Sequence, residues 1–222
     1  MNKSRENSIA WFKYFVELFV VFIGVTAAFL LNKWGEKSLE RQRMQHYMTS
    51  FADDIHADII QLTQLIKDDE EKLNRISGMM HSIKSATVSV DSATTLIKLC
   101  LENQFFTPQQ ITYEIITSSS DLRILQNYVL KERLVKYYLK IDDTNIKQNL
   151  FIEHLNDYII PYAVEQMDLA NQKFINQHAM NGVLFRNLIT GYFALLQQNV
   201  DVYKEALNQA NQLIEILPPI EN

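Results

Sequence analysis

The chain opens with a long apolar segment. Residues 14–31 read YFVELFVVFIGVTAAFLL, and no charged residue occurs from Leu18 to Asn32. The segment from Ile9 to Trp34 is about 25 residues long, which is enough for one helix to cross a hydrocarbon core of ~30 Å. Its ends carry the aromatic and lysine residues that are typical of a membrane interface, namely Trp11, Lys13, Tyr14, Lys33 and Trp34. The pattern predicts a tail at residues 1–8 and a transmembrane helix at residues 9–34, with the lipid bilayer as the first partner.

A cleaved signal peptide is the alternative interpretation of this segment. Val25-Thr26-Ala27 has the small-residue character of a cleavage site. The apolar run continues past that point through Phe29-Leu30-Leu31. This continuation favours an uncleaved anchor.

The predicted anchor contains one carboxylate and one pair of small residues. Glu17 lies one helical turn from Lys13, so it can form an ion pair at the interface. It can also face a partner helix or a second copy of the chain, since ionisable groups in membranes tend to face protein. Gly24 and Ala28 form a small-xxx-small pair that permits close helix approach. Glu17, Gly24 and Ala28 are therefore candidate interaction residues.

The orientation of the anchor rests on the basic residues at its two ends. Lys3, Arg5, Lys13 and the amino terminus lie before it, and four basic residues follow it: Lys33, Lys37, Arg41 and Arg43. The counts are nearly balanced, but moving the basic tail across a membrane is unfavourable. We expect the amino terminus in the cytoplasm and the main body on the periplasmic or extracytoplasmic side.

A second apolar pattern follows the anchor and predicts a long helix over residues 35–85. Apolar residues recur mostly at alternating steps of four and three, with Asp69 filling one position and an extra four-step between Ile55 and Ile59. This is a heptad-like seam with a stutter, as in a coiled coil. It can pack against the same chain or against a second protomer. Few helices of the chain are expected to reach Met44, Met48 and Phe51, so a homo-oligomer contact is predicted there.

Residues 86–222 are predicted to form shorter helices that pack back on the long one. Helix starts are expected at Asp91 or Ser92, at the capping box Thr107–Gln110, at Asn127, and at Asp143 or Thr144. The helix that starts at residue 143 or 144 is expected to continue to Gln177 with a kink at Pro161, and the final helix follows Asn181-Gly182. The predicted fold class is all-α: a transmembrane helix, a membrane-proximal helix and a helical bundle.

Two stretches resemble a known family. ELFVVFIGVTAAFLLNKW at residues 17–34 and ITYEIITSSSDLRILQN at residues 111–127 resemble a family of small bacterial single-pass membrane proteins of unknown function. The motifs include Glu17, Asn32 and Trp34, and the run from Thr112-Tyr113-Glu114 to Ser118-Ser119-Ser120-Asp121-Leu122; the match spans nearly the whole chain. The resemblance implies the topology, the fold and a bacterial inner membrane, and it implies no activity.

The densest polar cluster lies at the predicted corner between two helices. It consists of Tyr113, Glu114, Ser118, Leu122, Arg123 and Asn127. In a ligand pocket, Arg123 would anchor an anion. In a structural corner, Tyr113 and Leu122 would pack, Glu114 would pair with Arg123 or Lys131, and the serines would cap the next helix. Tyr113, Glu114 and Arg123 are thus candidate ligand or structural residues.

Composition narrows the function classes. The 222 residues carry a formal charge of -5 without a clustered basic face, which argues against a nucleic-acid partner. Cys100 is the single cysteine, so no disulfide framework or CxxC site exists, and Cys100 is expected to be a buried hydrophobe. Asp54, His56 and Asp58 do not converge on one side of a helix, and a solvated face is expected for them and for the acidic run at residues 68–71. No catalytic, metal or cofactor motif is present in the sequence.

Three function classes remain. The first is a membrane-anchored interaction or scaffold protein that self-associates or binds another membrane protein and has no catalytic activity. The second is a ligand-binding or sensory ectodomain that signals through a partner membrane protein. The third is an enzyme with an unrecognised site, which would require a pocket with converging titratable groups.

Overall fold

The computed structural model describes residues 3–119, 121–125 and 127–217. The chain divides into two compact units, Met1–Met48 and Thr49–Asn222. Within the described residues helices dominate, and the only strands are two short ones of two residues each. The predicted all-α class is therefore confirmed. The division at residues 48 and 49 differs from the boundaries that the apolar pattern places at residues 34 and 85.

Helix α1, Lys3–Lys84, supplies the described part of the first unit. An 18-residue stretch of it has a mean hydropathy of 2.3, and none of that stretch is buried. Phe22 is 66% exposed and Leu31 is 67% exposed, so large apolar side chains cover the helix surface without protein contacts. The helix is long and apolar enough to cross a membrane.

The second unit begins within α1, where the buried positions are more regular than the sequence suggests. Phe51, Ile55 and Leu62 are fully buried, and the position between Ile55 and Leu62 is taken by Asp58, which is 1% exposed. Steps of three and four therefore continue without the predicted stutter, since Asp58 rather than Ile59 occupies the core position. The expectation that Asp58 lies on a solvated face was wrong.

The next helices begin close to the predicted points, with one exception. Helix α2 spans Val90–Leu101 and is capped by the Ser89 hydroxyl, which accepts from the Ser92 N–H at 3.2 Å. Helix α3 spans Ile111–Ser118, and the residue before it makes no side-chain cap. The predicted capping box at Thr107–Gln110 is wrong because the Thr107 N–H donates instead to Gln61 Oε1 at 3.2 Å. A 3₁₀ turn at Asp121–Arg123 follows α3.

The predicted helix break at residues 143–144 does not exist. Helix α4 runs from Tyr128 to His154, continues as a π-helical turn at Leu155–Ile159, and is followed by helix α5 at Ile160–Gln166. Pro161 lacks the N–H that would bond to the residue four positions earlier, which explains why the wide turn lies immediately before it.

A β-hairpin replaces the predicted helical continuation to Gln177. Strands β1, Met167–Asp168, and β2, Lys173–Phe174, pair antiparallel. Both Asp168 carboxylate oxygens accept from Asn171, one from its backbone N–H at 3.0 Å and one from its side chain at 2.7 Å. Local aspartate–asparagine bonds of this kind favour turns over helix, so the helix ends at α5.

The last helices complete the bundle. Helix α6 spans Gln177–Met180, and helix α7 spans Val183–Ile214 after Gly182, as predicted for the final break. Helices α4 and α7 are antiparallel, because Arg133 bonds to Gln212 while His154 contacts Leu188. A Cβ added at Gly191 would lie 3.0 Å from His154 Cε1, so this glycine permits the close approach of the two helices.

A segment that is neither helix nor strand, residues 102–110, is here called the strap; it links α2 to α3 and packs against the bundle. Phe106 in its middle is 2% exposed. The side chain of Gln148 on α4 pairs with both backbone groups of Phe106: its Oε1 accepts from the N–H at 2.9 Å, and its Nε2 donates to the carbonyl at 3.1 Å. Tyr203 on α7 donates to the same Oε1 at 2.5 Å. One amide thus satisfies three buried polar groups.

Helix α1 supplies the partners on the other side of the strap. The Gln61 amide donates to the Phe105 carbonyl at 3.4 Å and accepts from Thr107, and the Gln109 N–H donates to Asp58 Oδ1 at 2.9 Å. The strap therefore replaces the hydrogen bonds of a helix or sheet with bonds to side chains of the surrounding helices.

Replacing Gln148 by alanine is expected to destabilise the bundle by about 3 kcal/mol, because the Phe106 N–H and carbonyl and the Tyr203 hydroxyl lose their buried partner. Urea unfolding of the full chain in detergent micelles, followed by circular dichroism, measures the change. Gln198, exposed on α7, provides the matched control. Equal stabilities of Gln148→Ala and Gln198→Ala would contradict the proposed role of the amide.

Candidate functional site

The interaction residues predicted in the apolar helix share one face of α1. Gly24 is seven residues after Glu17, and Ala28 is four residues after Gly24, so all three lie within about one quarter of the helix circumference. All three are exposed, and a Cβ at Gly24 would have no heavy atom within 4 Å. The structure thus places a carboxylate and two small residues on one face that no described residue covers.

Of the three residues predicted to meet a second chain, Met44, Met48 and Phe51, the structure shows a contact within the same unit for Phe51. Met48 is 7% exposed and Phe51 is 0% exposed within the single chain, while Met44 is half-buried. The Phe51 ring lies 6.5 Å from the ring of Tyr138 on α4. Helix α4 of the same chain therefore covers Phe51, and a contact with a second copy at Met44 and Met48 stays a prediction.

Asp58 is the centre of a polar site that the sequence did not indicate. Its Oδ2 accepts from the Tyr137 hydroxyl at 2.6 Å, and its Oδ1 accepts from the strap at Gln109. Burial raises the pKa of Asp58 to about 6, against the lowering effect of these two hydrogen bonds, and the nearby Asp54 charge raises the pKa further. Burial and the Asp58 charge also raise the pKa of the Tyr137 hydroxyl. The sequence contained one sign that Asp58 is buried: it lies three residues after Ile55 and four before Leu62, which is the spacing of the buried face.

The neighbouring Asp54 is less well satisfied. Its Oδ2 is buried and has no hydrogen-bond partner among the described residues. Burial raises the pKa of the Tyr138 hydroxyl, and the Asp54 charge raises it further.

The residues of the predicted corner have different surroundings in the structure. The Tyr113 ring stacks on the Tyr138 ring at 4.0 Å, and Asn127 caps α4 by accepting from the Leu130 N–H at 3.2 Å. Glu114 and Arg123 are exposed, and neither forms an ion pair in the part of the chain that the structure describes. The packing role is observed for Tyr113, the predicted pairing of Glu114 is not, and a ligand at this corner stays a prediction.

A cavity of about 370 Å³ lies between α1, the end of α2 and the start of the strap. Its charged wall residues are Asp68, Asp69, Glu71, Lys72, Arg75 and Glu102. Asp69 is 5% exposed, which corrects the expectation of a solvated acidic run, and burial raises its pKa to about 6. The nearest cation is Lys72, whose Nζ is 3.6 Å from Asp69 Oδ1.

The strap also determines how Lys72 is oriented in this cavity. The Lys72 ammonium donates to the Glu102 carbonyl and, at 3.1 Å, to Asn103 Oδ1. Tyr192 on α7 donates to the same Asn103 oxygen at 2.8 Å. The cation is thus engaged with the strap more closely than with Asp69.

The described residues contain neither a metal-binding cluster nor a cysteine with a lowered thiol pKa. No group of three or more histidine, cysteine, aspartate or glutamate side chains within them is arranged to hold a metal ion. Cys100 is fully buried, and burial raises the pKa of its thiol far above the ordinary value, as in a structural cysteine.

Comparison with known families identifies the one to which this chain belongs. The model of a family described only as a family of unknown function matches residues 17–193. No curated protein and no solved structure matches the chain. The matched range includes the apolar helix face, Asp58, the strap and the cavity.

The raised pKa of Asp58 predicts an unusual pH dependence. Between about pH 4 and pH 6 the folded state binds more protons at this group than the unfolded state, so the stability contribution of Asp58 falls as pH rises through this window and is constant above it. On acidification from pH 7 to pH 4, the wild type is expected to gain up to about 3 kcal/mol relative to Asp58→Asn.

Urea unfolding at several pH values measures this difference. Asp53→Asn, on the exposed side of the same helix, should track the wild type. A wild type that loses stability relative to Asp58→Asn on acidification would show that the hydrogen bonds, and not burial, dominate the pKa of Asp58.

Proposed function

We propose that this chain, which belongs to the DUF6090 family of unknown function, is a membrane-anchored helical interaction protein that self-associates through its apolar helix. The observation that carries the proposal is the shared, uncovered face of Glu17, Gly24 and Ala28 on α1. The proposal includes no catalytic step and no cofactor.

Lipid is the environment that best accounts for the first unit. Tyr14 is 69% exposed and Trp34 is 73% exposed, and large apolar side chains between them are exposed on every side of the helix. Exposing such a surface to water costs ~25 cal/mol per Å² of apolar area, whereas a bilayer removes this cost. Trp34 and the preceding Lys33 then lie where interfacial residues are stable.

A second copy of the same helix is the partner that the shared face favours. In lipid, helices associate by close packing, and Gly24 and Ala28 leave room for a neighbouring backbone. Glu17 on the same face is more stable near protein or water than in contact with acyl chains. A symmetric contact brings all three residues of each copy to the interface.

The proposed location is the inner membrane of a bacterium, with the amino-terminal tail in the cytoplasm and the bundle outside it. The basic residues Lys3, Arg5 and Lys13 support this orientation. A reporter enzyme that is active only outside the cytoplasm, fused after Asn222, is expected to be active. Activity of a cytoplasm-only reporter at the same position would reverse the orientation.

Disulfide crosslinking in native membranes tests the helix contact. In a Cys100→Ser background, Leu31→Cys lies seven residues after Gly24 on the shared face, whereas Leu30→Cys lies about 100° away. We expect a crosslinked dimer from Leu31→Cys and much less from Leu30→Cys. Adding Gly24→Leu should reduce the Leu31→Cys dimer at least fivefold, because the larger side chain separates the backbones.

Val25→Leu, which places the same leucine side chain about 100° around the helix from Gly24, is the control and should leave the dimer intact. Equal crosslinking at residues 30 and 31, or no effect of Gly24→Leu, would contradict self-association through this face. A heterologous crosslinked product at residue 31 would instead identify another membrane protein as the partner.

A ligand-binding bundle is the second candidate function. The cavity lined by Asp69 and Lys72 favours it, since 370 Å³ is within the range of small-molecule sites. This function is compatible with the anchor and does not depend on self-association.

A further inference from the structure

We propose that the cavity between α1, α2 and the strap binds a small organic amine, with Asp69 accepting hydrogen bonds from the ligand's ammonium group. This inference rests on the second candidate function and not on the helix contact in the membrane. It joins three observations: a cavity of about 370 Å³, a buried carboxylate in its wall, and an excess of negative charge around it.

Asp69 has unused capacity to accept hydrogen bonds. It is 5% exposed, yet its nearest cation, Lys72 Nζ, lies 3.6 Å from Oδ1. Charge-assisted hydrogen bonds between nitrogen and oxygen measure about 2.7–2.9 Å, so the Lys72 contact is loose. A primary ammonium is a compact group with three donors, so it can bind such a carboxylate within a small cavity.

The net negative charge of the cavity wall favours a cationic ligand over an anionic one. Four carboxylates line the cavity, at Asp68, Asp69, Glu71 and Glu102, against two cations, at Lys72 and Arg75. The Lys72 ammonium is engaged by the Glu102 carbonyl and by Asn103, so it compensates the carboxylates only in part. An entering anion would meet this excess of negative charge, whereas an amine reduces it.

The size and the apolar parts of the wall limit the ligand. Leu65 and Leu99 contribute apolar surface beside the charged groups. A volume of 370 Å³ is near the lower end of the range for small-molecule sites, about 300–1,000 Å³. A short aliphatic chain that carries one or two ammonium groups satisfies both the apolar and the acidic parts of the wall.

Isothermal titration of the full chain in detergent micelles with 1,4-diaminobutane tests the proposal. We expect saturable binding to the wild type at millimolar concentration or below. Glutarate, a dianion of similar length, should not bind. Asp69→Asn keeps the shape of the side chain and should weaken diamine binding at least tenfold, and Asp53→Asn on the exposed side of α1 should bind like the wild type.

Glu102→Gln is the second variant, for use if Asp69→Asn fails to fold. It should fold because Glu102 is exposed and its backbone carbonyl still accepts from Lys72. This variant should weaken diamine binding about two- to fivefold. No diamine binding to the wild type at 10 mM, glutarate binding of equal strength, or unchanged diamine binding by the folded variants at residues 69 and 102 would each overturn the proposal. Loss of membrane crosslinking would not affect it.

Discussion

The second unit depends on one constraint: the middle of the strap, at Phe106, is buried without being helix or sheet. A buried backbone N–H or carbonyl without a partner costs free energy comparable to a lost hydrogen bond. Side chains from two helices therefore bond to the backbone of the strap, with Asp58 and Gln61 from α1 and Gln148 from α4, while Tyr192 from α7 bonds to the Asn103 side chain. Each bond fixes the rotation of one helix about its axis and its position along the strap.

The same constraint explains why charged groups occupy core positions of α1. The Asp58 carboxylate accepts from the Gln109 N–H near the carboxyl-terminal end of the strap. The Lys72 ammonium donates to the Glu102 carbonyl at the amino-terminal end. Asp69 lies in the seam between them and, beside Lys72, forms part of the cavity wall. The polar residues that bond to the strap thus also line a concave site with charged walls. In the second candidate function, the same part of α1 stabilises the strap and binds the ligand.

The first unit is stabilised differently. Among the residues described there, it buries no backbone polar group that needs a side-chain partner from another part of the chain. Its backbone bonds are satisfied inside the helix, and its exposed apolar side chains suit lipid. Glu17 and Gly24 are then the features that lipid does not explain. The proposed helix contact accounts for both.

Periodicity predicted much of this fold but not the site. The long helix, the break before α7 and the alternating three- and four-residue spacing of apolar residues in α1 follow from periodicity that the sequence displays. The role of Asp58 could not be predicted, because a carboxylate is assigned to the surface until its partners, Tyr137 and Gln109, are known to be close. The same holds for the hairpin, where Asp168 and Asn171 override a helical pattern locally. Long-range polar pairing decides these positions, and one sequence does not display it.

Hydrogen exchange of the Phe106 amide tests the central claim most directly. If the Gln148 side chain holds this N–H inside the bundle, the amide should exchange as slowly as the core amides of α4 and α7, through global unfolding alone. In Gln148→Ala its protection should fall more than that of the helices. Exchange of the Phe106 amide in the wild type at the rate of an open loop would contradict the account, because the strap would then be a surface connection and not the segment around which the helices are arranged.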